Sequence, residues 1–479
     1  MVSVAGDRLG PTKTLVTVFP FASFLQRSEL TEAQVREFAS SLAGLREAGY
    51  VFRTAQPGEM VGEQGIPVVL VLTGGVEGDI LRHVKGLDAG AVAAAASGGG
   101  PRGAAGRAVA LVAHPEANSL PAALEASAAL GQQGYKARLI LAESLGGTGH
   151  LGELTSYLVV QRAAGLMANA RLGLVGGPSD WLVASSPTAE AVRETWGPTV
   201  VPIEMGRLLA LYQEELAGDK AAPSLMEEAR ALVSAAREVR EPSLETIAGA
   251  VAVYRALRRL VEEEHLSAVT VKCFDLLGVI HNTGCYALAR LNDEGIVAGC
   301  EGDVPATLTM MLVSALAGGL TGRFETAGGV GTRGVAFMAN PAWIKASAPA
   351  DGSRSGGAEV TLAHCTVPFS LTKGFTIRSH FESGIGVGFA GEWPEGPVTI
   401  VRVGGQRLDQ LLALEGAVVE NTRSERLCRT QLRIRLDDTD AAEVLLHPLG
   451  NHLAVVPGRL LAEISEFWTS FVKDGSLSK

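Results

Sequence analysis

Short apolar runs alternate with amphipathic stretches through the first third of the chain. TLVTVFPF (14–21), IPVVLVLTGG (66–75) and RAVALVAHP (107–115) are rich in apolar and β-branched residues and end at Gly, Pro or polar positions, which predicts strands. Between them, LTEAQVREFASSLAGLREAG (30–49) and SLPAALEASAALGQQGY (119–135) carry helical patterns. Such alternation predicts a parallel sheet covered by helices. The Ala- and Gly-rich stretch 90–106 reads as a surface loop. It has neither the GxxxxGKS/T of a phosphate cradle nor a proper GxGxxG.

A second α/β unit begins near residue 168. ARLGLVGGPSDWL (170–182) and WGPTVVPIEM (196–205) predict strands, followed by two helices separated by Pro242. The second of these repeats Leu244, Ile247, Val251, Tyr254, Leu257 and Val261 on one face, with Ser243 as its N-cap. SAVTVKCF (267–274) and GIVAGCEGD (295–303) supply two further strands. Beyond about residue 350 the strands AEVTLAHCTVPF, GPVTIVRVGG and TQLRIRLDD have no long helices between them, which predicts an antiparallel barrel or sandwich. SAPADGSRSGG (347–357) is the linker candidate, and RLLAEISEFWTSFV forms a terminal amphipathic helix. The expected architecture is two Rossmann-like doubly wound α/β domains (1–167 and 168–350) followed by a mainly antiparallel β domain (351–479).

Composition narrows the function classes. Hydrophobic residues make up 47% and charged residues 19% of the 479 positions, the balance of a well-packed globular protein. A net charge of −10, with no Lys/Arg cluster among aromatics, argues against a nucleic-acid partner. The N-terminus lacks the cationic start and long apolar stretch of a signal peptide. No apolar stretch reaches membrane-spanning length before Gly, Pro or charge interrupts it. The five cysteines (Cys273, Cys285, Cys300, Cys365, Cys428) show no CxxC pair and read as free thiols. Together these features place the chain in the reducing cytoplasm, away from membranes.

Candidate chemistry centres on CEGDVPATLTMMLVSALAG (300–318), where two acids follow an apolar strand. Asp303 stands where a helix N-cap would, ahead of Pro305 in the first turn. Capping and chemistry are both open to it. Glu301 lies outside the helix, just past the strand, where ligands bind in open α/β sheets. His364 near a strand end, His452 in a Gly–Asn turn, and His380 with Glu382 two residues on are imidazoles in apolar or turn-rich settings. No HExxH or closely spaced histidine pair exists, so any metal site has to be assembled from distant segments.

The order of CEGDVPATLTMMLVSALAG, FMANPA (337–342), LAHCTVP and the C-terminal GNHLAVVPG resembles the L-fucose isomerase and L-arabinose isomerase superfamily, most strongly over residues 267–479. The resemblance implies a cytoplasmic, homo-oligomeric enzyme (trimer or hexamer) that interconverts an aldose and a ketose through an enediol, with Mn²⁺ or another divalent cation. A Lewis acid polarises the sugar carbonyl, and a carboxylate moves the proton between neighbouring carbons. By this resemblance Glu301 is the first catalytic acid and a metal ligand, while His452 and His364 are further ligands. Asp303 is a candidate catalytic residue; His380, Glu382 and Asn451 are candidates for contacting the sugar. Where the family has its second acid this chain has Asn340, whose amide can bind a cation through oxygen but cannot act as a base. Asp303, Glu382 or Glu325 would then have to serve. Otherwise the chain is a related epimerase or aldol-cleaving enzyme, or a non-catalytic sugar-binding protein.

Overall fold

The computed structural model of the chain describes residues 14–47, 49–59, 65–98, 108–217, 221–319, 336–346, 358–437 and 448–472. The linker candidate 347–357 and Glu325 lie outside them. By their contacts the residues divide into two compact units. One comprises Met1–Ala168, Gly319–Gly322 and Ser465–Asp474; the other comprises Asn169–Gly318, Arg323–Ile464 and Gly475–Lys479. Among the described residues, no helix is long and apolar enough to cross a membrane.

The first unit is built on five parallel strands: β1 (Thr14–Phe21), β2 (Tyr50–Thr54), β3 (Ile66–Val71), β4 (Ala108–Ala113) and β5 (Lys136–Leu141). Their order is β2-β1-β3-β4-β5. Alternate residues feed two cores, one holding Val16, Val18, Val68 and Leu70 and the other Phe19, Phe21, Val69 and Val71. Burial on both faces is why these strands read as continuous apolar runs. The edge strands β2 and β5 are not legible that way, because buried and exposed residues mix along them. The expected loop at 90–106 is corrected in part: residues 90–98 belong to the helix Glu77–Gly98. Alanine, the best helix former, outweighs the low complexity at Ala93–Ala96; residues 99–106 lie outside the described set.

The second unit contains a four-stranded parallel sheet and a closed antiparallel barrel. The sheet has the order β10-β9-β6-β7, from β6 (Arg171–Val175), β7 (Thr199–Ile203), β9 (Ala268–Val271) and β10 (Val297–Cys300). Two helices, Met205–Ala217 and Ala221–Ala235, precede Pro242 where the apolar pattern predicts one. A short strand β8 (Glu238–Val239) joins β13 (Phe375–Arg378) and β14 (Gly388–Gly391) in a small separate sheet. The helix Leu244–Glu263 begins as expected, with the Ser243 hydroxyl accepting from the Thr246 N–H at 3.2 Å.

The barrel runs β11-β12-β17-β16-β15-β18. Its strands are β11 (Phe337–Ala346), β12 (Ala358–His364), β15 (Gly396–Gly404), β16 (Gln410–Asn421), β17 (Thr430–Leu436) and β18 (Leu453–Pro457). Phe337, Val360, Leu362, Ile400, Leu432, Ile434 and Val455 belong to its packed core.

Replacing Ser243 by Ala removes the cap of a helix that buries ten residues, Ile247 to Val261. Thermal unfolding should show a loss of about 1 kcal/mol, the typical cost of an N-cap deletion.

Candidate functional site

At the carboxyl end of β10 the chain turns sharply before entering the helix Val304–Gly319. Glu301 and Gly302 both adopt left-handed backbone, with φ of +64° and +70°. Gly302 is required there: a Cβ would sit 2.2 Å from the Gly177 carbonyl oxygen and 2.7 Å from Pro178 Cα. The turn is pinned by the Gly302 N–H donating to Val271 O (3.1 Å) and the Ser179 N–H donating to Glu301 O (2.8 Å). The end of β9 and the segments following β6 and β10 therefore meet around Glu301, at the edge where open α/β sheets bind ligands.

Asp303 begins the helix, its Oδ1 accepting the Ala306 N–H at 2.8 Å. The same carboxylate is buried completely and faces Arg402, which donates through Nη1 at 3.0 and 3.2 Å. Arg402 is itself fully buried on β15 and anchored to Ser185 Oγ (2.7 Å) and Leu449 O (3.3 Å). Burial opposes the Asp303 charge, but Arg402 first and then His452 outweigh it and hold its carboxyl below the usual range.

His452 sits beside it with no exposed surface, Nδ1 2.8 Å from Asp303 Oδ2. Its Nε2 approaches Glu301 Oε1 to 3.3 Å, and this buried nitrogen makes no hydrogen bond. Burial disfavours the imidazolium; hydrogen bonding to Asp303 and the charges of both carboxylates prevail and push its pKa up to about 9. Glu301 is buried as well, with Oε2 accepting the Trp181 indole N–H at 2.6 Å. Burial raises its carboxyl, and the pull of His452 and Trp181 brings it below the ordinary value.

His364 lies next to this group, its ring centroid 5.8 Å from that of His452. Burial pushes its pKa down to about 4, with the neighbouring His452 acting in the same direction. Its Nδ1 accepts the Thr366 N–H at 3.2 Å and lies 2.8 Å from Thr366 Oγ1. An occupied Nδ1 assigns the proton of the neutral ring to Nε2. On β11, Met338 reaches the Cys300 N–H with its sulfur at 2.8 Å. Asn340, two residues on, shares that strand face and pairs with Ala363 beside His364. Its Oδ1 is buried without a hydrogen-bond partner.

The remaining sequence candidates lie apart from these contacts. His380 is buried in its own turn, with Nδ1 3.1 Å from Ser383 Oγ, and packs edge-on against Phe274. Phe274 in turn meets Trp181 edge-on at 5.1 Å, so an aromatic row leads from His380 to Glu301. Glu382 and Asn451 are exposed, Asn451 immediately before His452. Trp181 and Arg402 are the residues that sequence reasoning missed. A lone arginine inside the apolar run PVTIVRVGG was the available signal, since a buried charge requires a partner.

The donor types suit a hard divalent cation. An imidazole nitrogen and an amide oxygen, both buried and without a hydrogen bond, stand on paired strand segments, the imidazole beside the Glu301 carboxylate. Asp303 behind His452 makes the carboxylate–histidine arrangement that fixes the tautomer of a metal-binding imidazole. Among the described residues, no three His, Cys, Asp or Glu side chains are grouped to hold a metal by themselves.

Over 65 residues the chain is 32% identical to a sulfoquinovose isomerase from Alkalicoccus urumqiensis. That match covers 13% of this chain and 15% of the relative's length. No protein-family model matches the chain.

Arg402→Met should leave the Asp303 carboxylate buried without its main counter-charge. Breaking a buried ion pair on one side costs about 3–5 kcal/mol, so denaturant unfolding should show a loss of that size.

Proposed function

We propose that this protein interconverts an aldose and a ketose through an enediol, at a divalent cation held by Glu301 and His452 with the Asn340 amide oxygen. His452 carries the reading: Asp303 occupies Nδ1 and leaves a buried Nε2 facing Glu301 with no other partner. The segment shared with a protein named as a sugar isomerase supports the same chemistry. A cation such as Mn²⁺ would supply Lewis-acid polarisation of the sugar carbonyl.

The chain's own groups then divide the work. Glu301 takes the proton from the carbon beside the carbonyl and returns it one carbon away. Trp181 fixes one carboxylate oxygen and leaves the other facing His452. His364, a metal ligand by the family resemblance, instead offers an Nε2–H to a sugar oxygen, because Thr366 occupies its other nitrogen and leaves the proton on Nε2. Asp303 is a positioning residue: its oxygens are committed to Arg402, His452 and the Ala306 N–H.

With Asp303 so committed and an amide at position 340, Glu301 acts as a single base. One-sided proton transfer also fits epimerisation or aldol cleavage. Solvent deuterium entering a sugar without aldose–ketose conversion would select that second reading.

A screen of aldoses and ketoses with Mn²⁺, sulfoquinovose among them, should reveal interconversion, and Glu301→Gln should lower it about 10²–10⁴-fold, the range of general-base catalysis. Unchanged turnover in Glu301→Gln rejects the assignment. Mn²⁺ at a hundred times its dissociation constant should stabilise the protein by about 2.7 kcal/mol in thermal melts, and His452→Ala should abolish the gain. Trp181→Phe keeps the ring but removes the N–H; a loss of about 10–100-fold in Mn²⁺ affinity or turnover is expected for a partner that orients a ligand.

A further inference from the structure

The first unit has a ligand edge of its own. Its strand order, β2-β1-β3-β4-β5, sends the connections after β1 and after β3 in opposite directions. The helices they lead to pack on opposite faces. Phe38 of the helix Ser28–Ser41 joins the core of Val16 and Val18, whereas Ile80 and Val84 of the helix Glu77–Gly98 join that of Phe19 and Phe21. Such a reversal opens a crevice beyond the carboxyl ends of the strands. A cavity of about 930 Å³ lies there, a volume within the range of small-molecule sites.

One stripe of each helix lines it, Ser28, Thr31, Glu32 and Val35 on the first and Asp79, His83 and Gly86 on the second, with Thr54 and Gln56 from the end of β2. His83 is only 7% exposed, and its ring packs against Phe19 and Phe21, with centroids 4.2 and 5.5 Å away. Its Nδ1 accepts the Gly58 N–H at 3.0 Å, so the proton of the neutral ring is on Nε2. That buried Nε2 has no hydrogen-bond partner. An N–H left unpaired in a cavity wall is costly until an acceptor reaches it.

The charges around the cavity are matched internally. Arg36 pairs with Glu32 at 3.4 Å, Arg82 pairs with Asp79, and Glu59 Oε2 accepts the Gln56 N–H at 3.1 Å. With both guanidinium groups facing carboxylates, no lining cation is set aside for a phosphate or carboxylate group. The walls offer hydroxyl and amide groups, the His83 N–H, and apolar surface from Val35 and Val76. We infer that this cavity binds a neutral, hydroxyl-rich small molecule of sugar size, one of whose oxygens accepts from His83 Nε2. The site uses no residue of the candidate centre and stands whether or not the isomerase reading does.

The full chain carrying His452→Ala, with EDTA present, takes the candidate centre out of the measurement. Titrated calorimetrically with D-glucose, D-fructose and L-arabinose, it should bind at least one of them saturably, and hydrogen–deuterium exchange should slow in residues 22–32, 54–59 and 76–87. A Cβ added at Gly86 meets nothing within 4 Å, so Gly86→Trp has room to fill the cavity; it should melt as the parent does and abolish the binding. His83→Phe keeps an aromatic ring against Phe19 and Phe21 but removes the N–H, and should weaken binding about tenfold. No saturable binding of these sugars, binding that Gly86→Trp leaves intact, or tighter binding of inorganic phosphate or AMP would each overturn the inference.

Discussion

Arg402 and Asp303 are both without exposed surface, and neither charge could remain in the apolar interior without the other. Their pairing ties the barrel strand β15 to the helix that follows β10, joining two layers of the second unit through one buried contact. Further hydrogen bonds complete the shell: Ser185 and Leu449 O satisfy the guanidinium, and the Ala306 N–H and His452 satisfy the carboxylate. A buried pair with incomplete partners would cost more than it returns. This one is embedded in a network, and the network ends on a single buried nitrogen, His452 Nε2, that has no hydrogen bond.

The geometry explains why one turn can hold two acids with different fates. Asp303 sits at the helix start, where free amides and the helix dipole favour a carboxylate, and Arg402 immobilises it. Glu301, two residues earlier, is outside the helix and contacts Trp181 and His452 instead. Capping and chemistry, which the sequence left open for Asp303, meet in the same side chain: it caps the helix and orients His452. Its role in chemistry is indirect, through the imidazole it holds.

Much of the fold was legible because burial on both faces of a parallel sheet leaves continuous apolar runs, as in β1, β3 and β4. The Ser243 cap and the Asp303–Pro305 helix start were legible because they rest on interactions within one turn. Edge strands β2 and β5, with mixed exposure, leave no such trace. The helical Ala93–Ala96 stretch was hidden by the glycines around it. Glu301, His364 and His452 stood out as candidates, but nothing in their spacing shows that β10, β12 and β18 bring them side by side. Arg402 and Trp181 were less visible still, because each matters through a partner more than 95 residues away in the chain: Asp303 at a separation of 99 and Glu301 at 120.

The backbone of Glu301 adds an independent argument that this position is more than a strand end. A non-glycine residue in the left-handed region carries a conformational cost of about 1–3 kcal/mol, and persists where surrounding contacts over-determine it. Those contacts are present here: Ser179 N–H on the Glu301 carbonyl, Gly302 wedged against Gly177, and Trp181 on the carboxylate. A turn needed only to connect β10 to the following helix could have used glycine at both left-handed positions at lower cost. Retaining a glutamate here orients its carboxylate toward a buried histidine, and the strain is understandable if that orientation is what the turn has to deliver. The same reasoning separates Glu301 from Asp303, which stands in a low-cost capping position and would be stable there in a protein with no chemistry at all.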